Sequence, residues 1–123
     1  MSESTTVLIV DDSRVSRMMA RQFVLSARPG WTVEECATGE EALQKAGAVD
    51  PGLILIDVNM PGIGGLAAAE QLRQLCPKAH IALVTANVQN ATRNRANELG
   101  IGFMEKPITE TKLHGLINAL ALG

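Results

Sequence analysis

Leu53-Ile54-Leu55-Ile56-Asp57 sets four consecutive apolar residues directly against a carboxylate, with no polar residue between them. A short run that is apolar at every position, rather than at alternate ones, predicts a strand covered on both faces. Val7-Leu8-Ile9-Val10, Ile81-Ala82-Leu83-Val84 and the shorter Ile101-Gly102-Phe103-Met104 repeat the pattern. A fifth candidate, Trp31-Thr32-Val33-Glu34-Glu35-Cys36, is more polar and belongs at or near a sheet edge.

Helical spacing fills the intervals. Leu113, Leu116, Ile117 and Leu120 follow the i, i+3, i+4, i+7 spacing of a buried stripe on the last helix. Val15, Met18, Met19 and Phe23 mark a first helix and Ala68, Leu72 and Leu75 a third, with the methionines expected as core filler rather than a binding surface. Thr38-Gly39-Glu40-Glu41 has the form of a capping box opening the second helix, and Gly100 is placed to end the fourth in a left-handed conformation. Five alternations of strand and helix predict an α/β fold, a doubly wound five-stranded parallel sheet with five helices and right-handed crossovers.

The chain has 123 residues, within the range of one domain, with a short polar tail over residues 1–6 and the folded unit over 7–122. No repeat or linker interrupts it. A net charge of −2 lacks the basic excess that phosphate backbones demand, so no direct nucleic-acid partner is expected. Two Phe, one Trp and no Tyr cannot build a base-stacking platform. With neither a signal peptide nor a spanning apolar run, the expectation is a cytoplasmic protein without membrane contact. Cys36 and Cys76 have no metal-ligand spacing and are expected to be buried or idle; His80 and His114 are expected to be structural.

In an open parallel sheet, ligand sites form beyond the carboxyl ends of the strands. The first apolar run ends in Asp11-Asp12, the third strand in Asp57 and the fourth in Thr85, while the fifth leads to Lys106-Pro107. Taken singly, Asp12-Ser13 before a helix would be a cap. As a set, carboxylates about 5 Å apart repel by roughly 3 kcal/mol per pair at an effective dielectric near 20, so the cluster needs cations. Lys106 supplies one charge. An oxygen-only ligand set without His or Cys favours Mg²⁺ over zinc. A carboxylate screened by Mg²⁺ and a lysine can act as a nucleophile toward a phosphoryl group, with Thr85 and Lys106 donating to its oxygens.

These residues give the chain a resemblance to the receiver domains of bacterial two-component response regulators. The resemblance rests on Asp11-Asp12-Ser13, on Asp57-Val58-Asn59-Met60-Pro61-Gly62-Ile63-Gly64-Gly65, on Thr85-Ala86 and on Lys106-Pro107, in family order. It implies a flavodoxin-like sheet of order 2-1-3-4-5 and a switch, not an enzyme, whose only chemistry is phosphorylation from a donor and slow autodephosphorylation. By similarity, Asp57 is the phosphoacceptor, and Asp11, Asp12, Asp57 and the backbone carbonyl of Asn59 hold Mg²⁺. Thr85, the Ala86 amide and Lys106 bind the phosphoryl group, Thr85 and Phe103 form the switch, and Lys106-Pro107 is a cis peptide. Implied partners are a sensor histidine kinase or histidine phosphotransfer protein as donor, and a downstream protein on the face of helix 4, strand 5 and helix 5. The implied state is a monomer or a weak phosphorylation-dependent dimer.

No output domain follows the last helix in this sequence, so a stand-alone, chemotaxis-type receiver is expected over a DNA-binding regulator. Two other readings compete. A Mg²⁺-dependent aspartyl-phosphate phosphatase of the haloacid dehalogenase type also uses an Asp nucleophile, but Asp57-Val58-Asn59 lacks its second acid. A non-phosphorylated interaction module would be expected to have lost Asp57, Thr85 or Lys106. Gln89 to Asn97 is polar nearly all round, with only Val88, Ala91 and Leu99 as apolar anchors, and reads either as a solvated helix or as a patch in which Arg93 and Arg95 meet an acidic partner.

Overall fold

The structure is a computed structural model that describes residues 5–60 and 62–120. Residues 1–4 of the polar tail, Pro61 of the acceptor motif and the last residues, 121–123, lie outside the described ones. Strands and helices alternate as β1 (Thr6–Val10), α1 (Arg14–Ala27), β2 (Thr32–Cys36), α2 (Gly39–Val49), β3 (Leu53–Asp57), α3 (Gly64–Leu75), β4 (His80–Thr85), α4 (Asn90–Glu98), β5 (Gly102–Glu105) and α5 (Glu110–Ala119). All pairings are parallel and the order is β2-β1-β3-β4-β5, as the resemblance implied. The polar β2 is an edge strand, whereas β3 is buried at all five positions.

Alternate residues of each central strand feed two apolar layers. Leu8, Val10, Ile54, Ile56, Ile81 and Leu83 meet Ala42 and Ala46 of α2, Ala68 and Leu72 of α3 and Ala96 of α4. Val7, Ile9, Leu53, Leu55 and Val84 meet Ala20 and Val24 of α1 and Leu113 and Ile117 of α5. Alanine on the sheet-facing sides lets the helices come close, so large side chains are needed chiefly from the strands.

Caps stand where hydroxyls precede helices. Ser13 Oγ accepts from the Ser16 amide, so Ser13, and not Asp12, caps α1. Thr38 Oγ1 accepts from the Glu41 amide at 3.1 Å, and Glu41 reaches back to the Ala37 amide at 2.6 Å, one residue beyond the usual return of a capping box. Gly100, at φ +70°, follows the last turn of α4 in the left-handed region that an L side chain resists.

Two stripes depart from expectation. On α1, Val15, Met18 and Met19 are 65%, 56% and 46% exposed, and the sheet is met by Ala20 and Val24 instead, with Phe23 half-buried. Leu75, at the end of α3, is 57% exposed although Ala68 and Leu72 are fully buried. On α1 the physical reason is that helical periodicity identifies an apolar stripe, but this helix carries two, and the one with the smaller residues fits closer to the sheet; Leu75 is the last residue of α3.

Candidate functional site

Because every strand is parallel, the ends of β1, β3, β4 and β5 converge on one edge, and Asp11, Asp57, Thr85 and Lys106 stand there together. Asp11 and Asp57 are buried, Asp12 is exposed, and one carboxylate oxygen from each of the three lies within 4.8 Å of the others. Lys106 Nζ sits 3.3 Å from Asp11 Oδ2 and 3.4 Å from Asp57 Oδ2, so one ammonium serves two carboxylates. The other oxygen of each acid is met by backbone: the Ser13 amide donates to Asp11 Oδ1 at 2.8 Å and the Asn59 amide to Asp57 Oδ1 at 3.2 Å.

Electrostatics at the cluster follow from burial. Desolvation pushes the Asp57 carboxyl up from its ordinary value, with Asp11 adding to the rise and the Asn59 amide and Lys106 opposing it. For Lys106, burial acts downward, but Asp11 and Asp57 outweigh it and hold the ammonium above the ordinary lysine value. Three carboxylates and one ammonium leave a formal excess of two negative charges. The donor set is oxygen only and one of its members, Asp12, is exposed, which fits a hard divalent cation that keeps part of its water. The acidic cluster can therefore hold a metal ion.

Thr85 is buried at the end of β4, and its hydroxyl is engaged within its own turn, accepting from the Asn87 amide and donating to the Asn87 carbonyl, each at 3.1 Å. Ala86 is exposed beside Lys106, and the Lys106-Pro107 peptide is cis. Phe103 is half-buried on β5, opposite Leu83 of β4. The residues singled out from the sequence are thus gathered at one edge, with Phe103 set back within its strand.

Three contributors carried no sequence signal or only a weak one. Gly65, in the first turn of α3, leaves no room for a side chain: a Cβ there would overlap the backbone carbonyl of Asp57, while its amide donates to Val58 O at 3.1 Å. Arg17 donates to the Asp11 carbonyl at 2.6 Å and to Glu35 Oε1 at 3.1 Å, tying the acidic loop to β2. Lys106, Pro107 and Ile108 form, with Ala86 and with Ser16 and Met19 of α1, a cleft of about 300 Å³ beside the acids. Gly65 closes the Asp57–Gly65 motif, but its need for a bare Cα depends on how closely α3 approaches the end of β3; Arg17 and the cleft depend on how α1 packs.

Cys36 and Cys76 are both buried free thiols, and burial raises both, Cys36 to about 11. His114 Nε2 lies 3.1 Å from the Phe23 carbonyl and links α5 to α1, a structural contact. Arg95 is spent within the molecule, 2.9 Å from Glu70 Oε1 and 3.0 Å from Glu98 Oε1, which removes it from the patch expected to face an acidic partner. No helix among the described residues is long and apolar enough to cross a membrane.

Comparison with known proteins matches residues 7–118 to the response regulator receiver domain. The chemotaxis protein CheY of Thermotoga maritima is 30% identical over 117 residues, spanning 94% of this chain and 96% of that protein. The transcriptional activator protein ExaE of Pseudomonas putida is 33% identical over 101 residues, which span 81% of this chain but 47% of ExaE. The chain spans about half or less of the length of several such relatives, among them the nitrate/nitrite response regulator NarL of Escherichia coli, at 33%. In structure, the chemotaxis protein CheY4 of Vibrio cholerae superposes with a TM-score of 0.85 at 28% identity, covering 95% of this chain and 98% of that one. Such domains are signalling switches rather than enzymes, and the haloacid dehalogenase alternative falls away with the match. With its five parallel strands in the order 2-1-3-4-5 and its acids, threonine and lysine at one sheet edge, this chain belongs to the response regulator receiver domain family.

Proposed function

We propose that Asp57 accepts a phosphoryl group from a phosphohistidine on a sensor histidine kinase or a histidine phosphotransfer protein in the cytoplasm, and that the modified chain signals through altered protein contacts. The observation carrying this reading is the pairing of Lys106 with both Asp11 and Asp57 at the edge where Thr85 also ends its strand. A carboxylate oxygen of Asp57 attacks phosphorus, the P–N bond breaks, and the imidazole keeps the bonding pair and takes up a proton. Lys106 then donates to the phosphoryl oxygens, joined by the Ala86 amide and, once it leaves Asn87, by the Thr85 hydroxyl. Asp11, Asp12, Asp57 and the Asn59 carbonyl would hold Mg²⁺, which when bound offsets the carboxylate repulsion and polarises the phosphoryl oxygens. Slow hydrolysis of the acyl phosphate resets the switch.

Phosphorylation exchanges a carboxylate of charge −1 for a group near −2. Thr85 and Phe103 are the elements biased by that change, and the face of α4, β5 and α5 is where a downstream protein reads it. The donor seats elsewhere: a protein delivering a phosphohistidine to Asp57 must touch the rim of the site, and α1 offers an apolar part of that rim, with Met19 exposed at the cleft and continuing into the exposed Val15 and Met18.

Incubation with Mg²⁺ and acetyl phosphate, followed by intact mass measurement, tests the central step. Wild type should gain one phosphoryl group and Asp57→Asn none. Equal gain by both, or none by wild type, would overturn it, the latter favouring a non-phosphorylated interaction module.

A further inference from the structure

The aromatic ring assigned to the switch is not free on its strand. Arg93, in the first turn of α4, places its guanidinium carbon 5.5 Å from the centroid of Phe103, within the range of a cation–π contact. Arg93 is exposed and Phe103 half-buried, so the pair lies at the surface where α4 crosses β5.

The rest of α4 is lightly held. Ala96 is its one buried residue and Leu99, just past its end, packs against the core only in part. Gln89 at its N-cap makes no side-chain capping bond. Polar contacts must then make up the deficit, and two arginines supply them: Arg95 ties the helix to Glu70 of α3, and Arg93 ties its first turn to the ring. Meanwhile the Thr85 hydroxyl is satisfied by the backbone of Asn87, just before that helix. Both halves of the switch are thus engaged by local partners that must be given up before Thr85 turns toward Asp57 or the ring turns inward.

From this geometry we infer that Arg93 is a positioning residue for Phe103, a latch that holds the ring in its half-buried place against the edge of the core and keeps the start of α4 over it in the unphosphorylated protein. The inference rests on the reading of Phe103 as the switch ring. An inward turn of the ring breaks the contact, so the latch biases the equilibrium toward the resting state. A cation–π contact at an exposed site corresponds to about a two- to fivefold bias in a two-state equilibrium. Arg93 then sets how much of the chain is already in the active arrangement before phosphorylation, without touching the phosphoryl group itself.

Only two phenylalanines occur in the chain, which makes the test direct. Protein labelled with ¹³C-phenylalanine gives ring signals from Phe23 and Phe103, assigned with Phe103→Leu. Wild type, Arg93→Ala, Arg93→Met and Arg93→Lys are compared with Mg²⁺ alone and with Mg²⁺ plus beryllofluoride, a phosphoryl mimic. The Met variant keeps an apolar stem over the ring and loses the charge, while the Lys variant retains a cation. Expected without the mimic is a shift of the Phe103 signals in the Ala and Met variants toward their position with it, about two- to fivefold in population, a smaller shift in the Lys variant, and fixed Phe23 signals. Unmoved Phe103 signals in the Ala and Met variants would overturn the latch. If beryllofluoride leaves wild-type Phe103 in place while Asp57 still gains a phosphoryl group by mass, the latch fails and phosphoacceptance stands. Absence of that gain would instead remove the proposed function, and the effect of Arg93 on the ring would be judged from the variants alone.

Discussion

At the scale of single residues, Asp57 and Gly65 show how one small region is constrained from two sides. Asp57 is a buried acid with another carboxylate nearby and a single ammonium shared between them, so its charge opposes folding of the metal-free protein. Asp57→Asn is therefore expected to stabilise that form at pH 7, by about 1–2 kcal/mol once Lys106 relieves part of a like-charge repulsion of roughly 3 kcal/mol. Urea denaturation of both proteins in chelator would show it, and a less stable mutant would contradict the electrostatic account. Gly65 is constrained sterically, since its Cα faces the Asp57 carbonyl. Gly65→Ala must push α3 or the acceptor loop aside, at a cost typical of overpacking, roughly 1–3 kcal/mol, and with slower phosphoryl uptake from acetyl phosphate. Cys36 adds a pH dependence. Its buried thiol titrates at about 11, above the ordinary value of 9.0, so the folded state keeps a proton that the unfolded chain loses. Stability from this group is fully present below pH 9.0 and is lost as pH rises through about 11, by up to roughly 2–3 kcal/mol. Cys36→Ala should flatten that alkaline decline, measured by denaturation at stepped pH.

Among the elements, α1 departs most from what periodicity suggested. Val15, Met18 and Met19 were expected as core because they recur at helical spacing, yet spacing is unchanged when a helix turns about its axis. Packing chose the other side, since Ala20 and Val24 admit a closer approach to Val7, Ile9 and Leu55 than two methionines would. The exposed stripe then becomes available to a partner. Val15→Glu with Met18→Glu is expected to slow transfer from a phosphorylated donor protein by tenfold or more while leaving uptake from acetyl phosphate within about twofold, because only the protein donor needs that surface and neither residue lines the cleft beside the acids. Equal slowing with both donors would place the defect in the site itself. By contrast, the cap of α2 at Thr38 is read directly from local sequence, because a hydroxyl and an amide three residues on meet within one turn, and Ser13 and Thr109 cap α1 and α5 in the same way.

Across the whole molecule, the parallel sheet separates the two ends of the strands, and the acids and the tryptophan fall at opposite ends. Trp31 is buried just before β2, under the guanidinium of Arg28, while the acids lie past the carboxyl ends of β1 and β3. Addition of Mg²⁺ is expected to raise the melting temperature of wild type, by an amount equivalent to about 2.7 kcal/mol at a hundred times the dissociation constant. Trp31 fluorescence of the folded protein should stay nearly constant in the same titration. Asp12→Ala should lose most of the thermal shift, and a strong quench of Trp31 would mean that binding reaches the far end of the sheet.

The sequence by itself determined the alternation of strands and helices, the edge position of β2, and the meeting of Asp11, Asp57, Thr85 and Lys106. Continuous apolarity marks a doubly covered strand, and parallel strands bring all their carboxyl ends to one side. Only the tertiary structure decided which stripe of α1 faces solvent, that Gly65 must lack a side chain, that Arg17 braces Asp11, and that Arg93 lies over Phe103. Each of these depends on the rotation and distance of one packed element relative to another, and such quantities are set by the fit of side-chain volumes across the core, which no local stretch of sequence records.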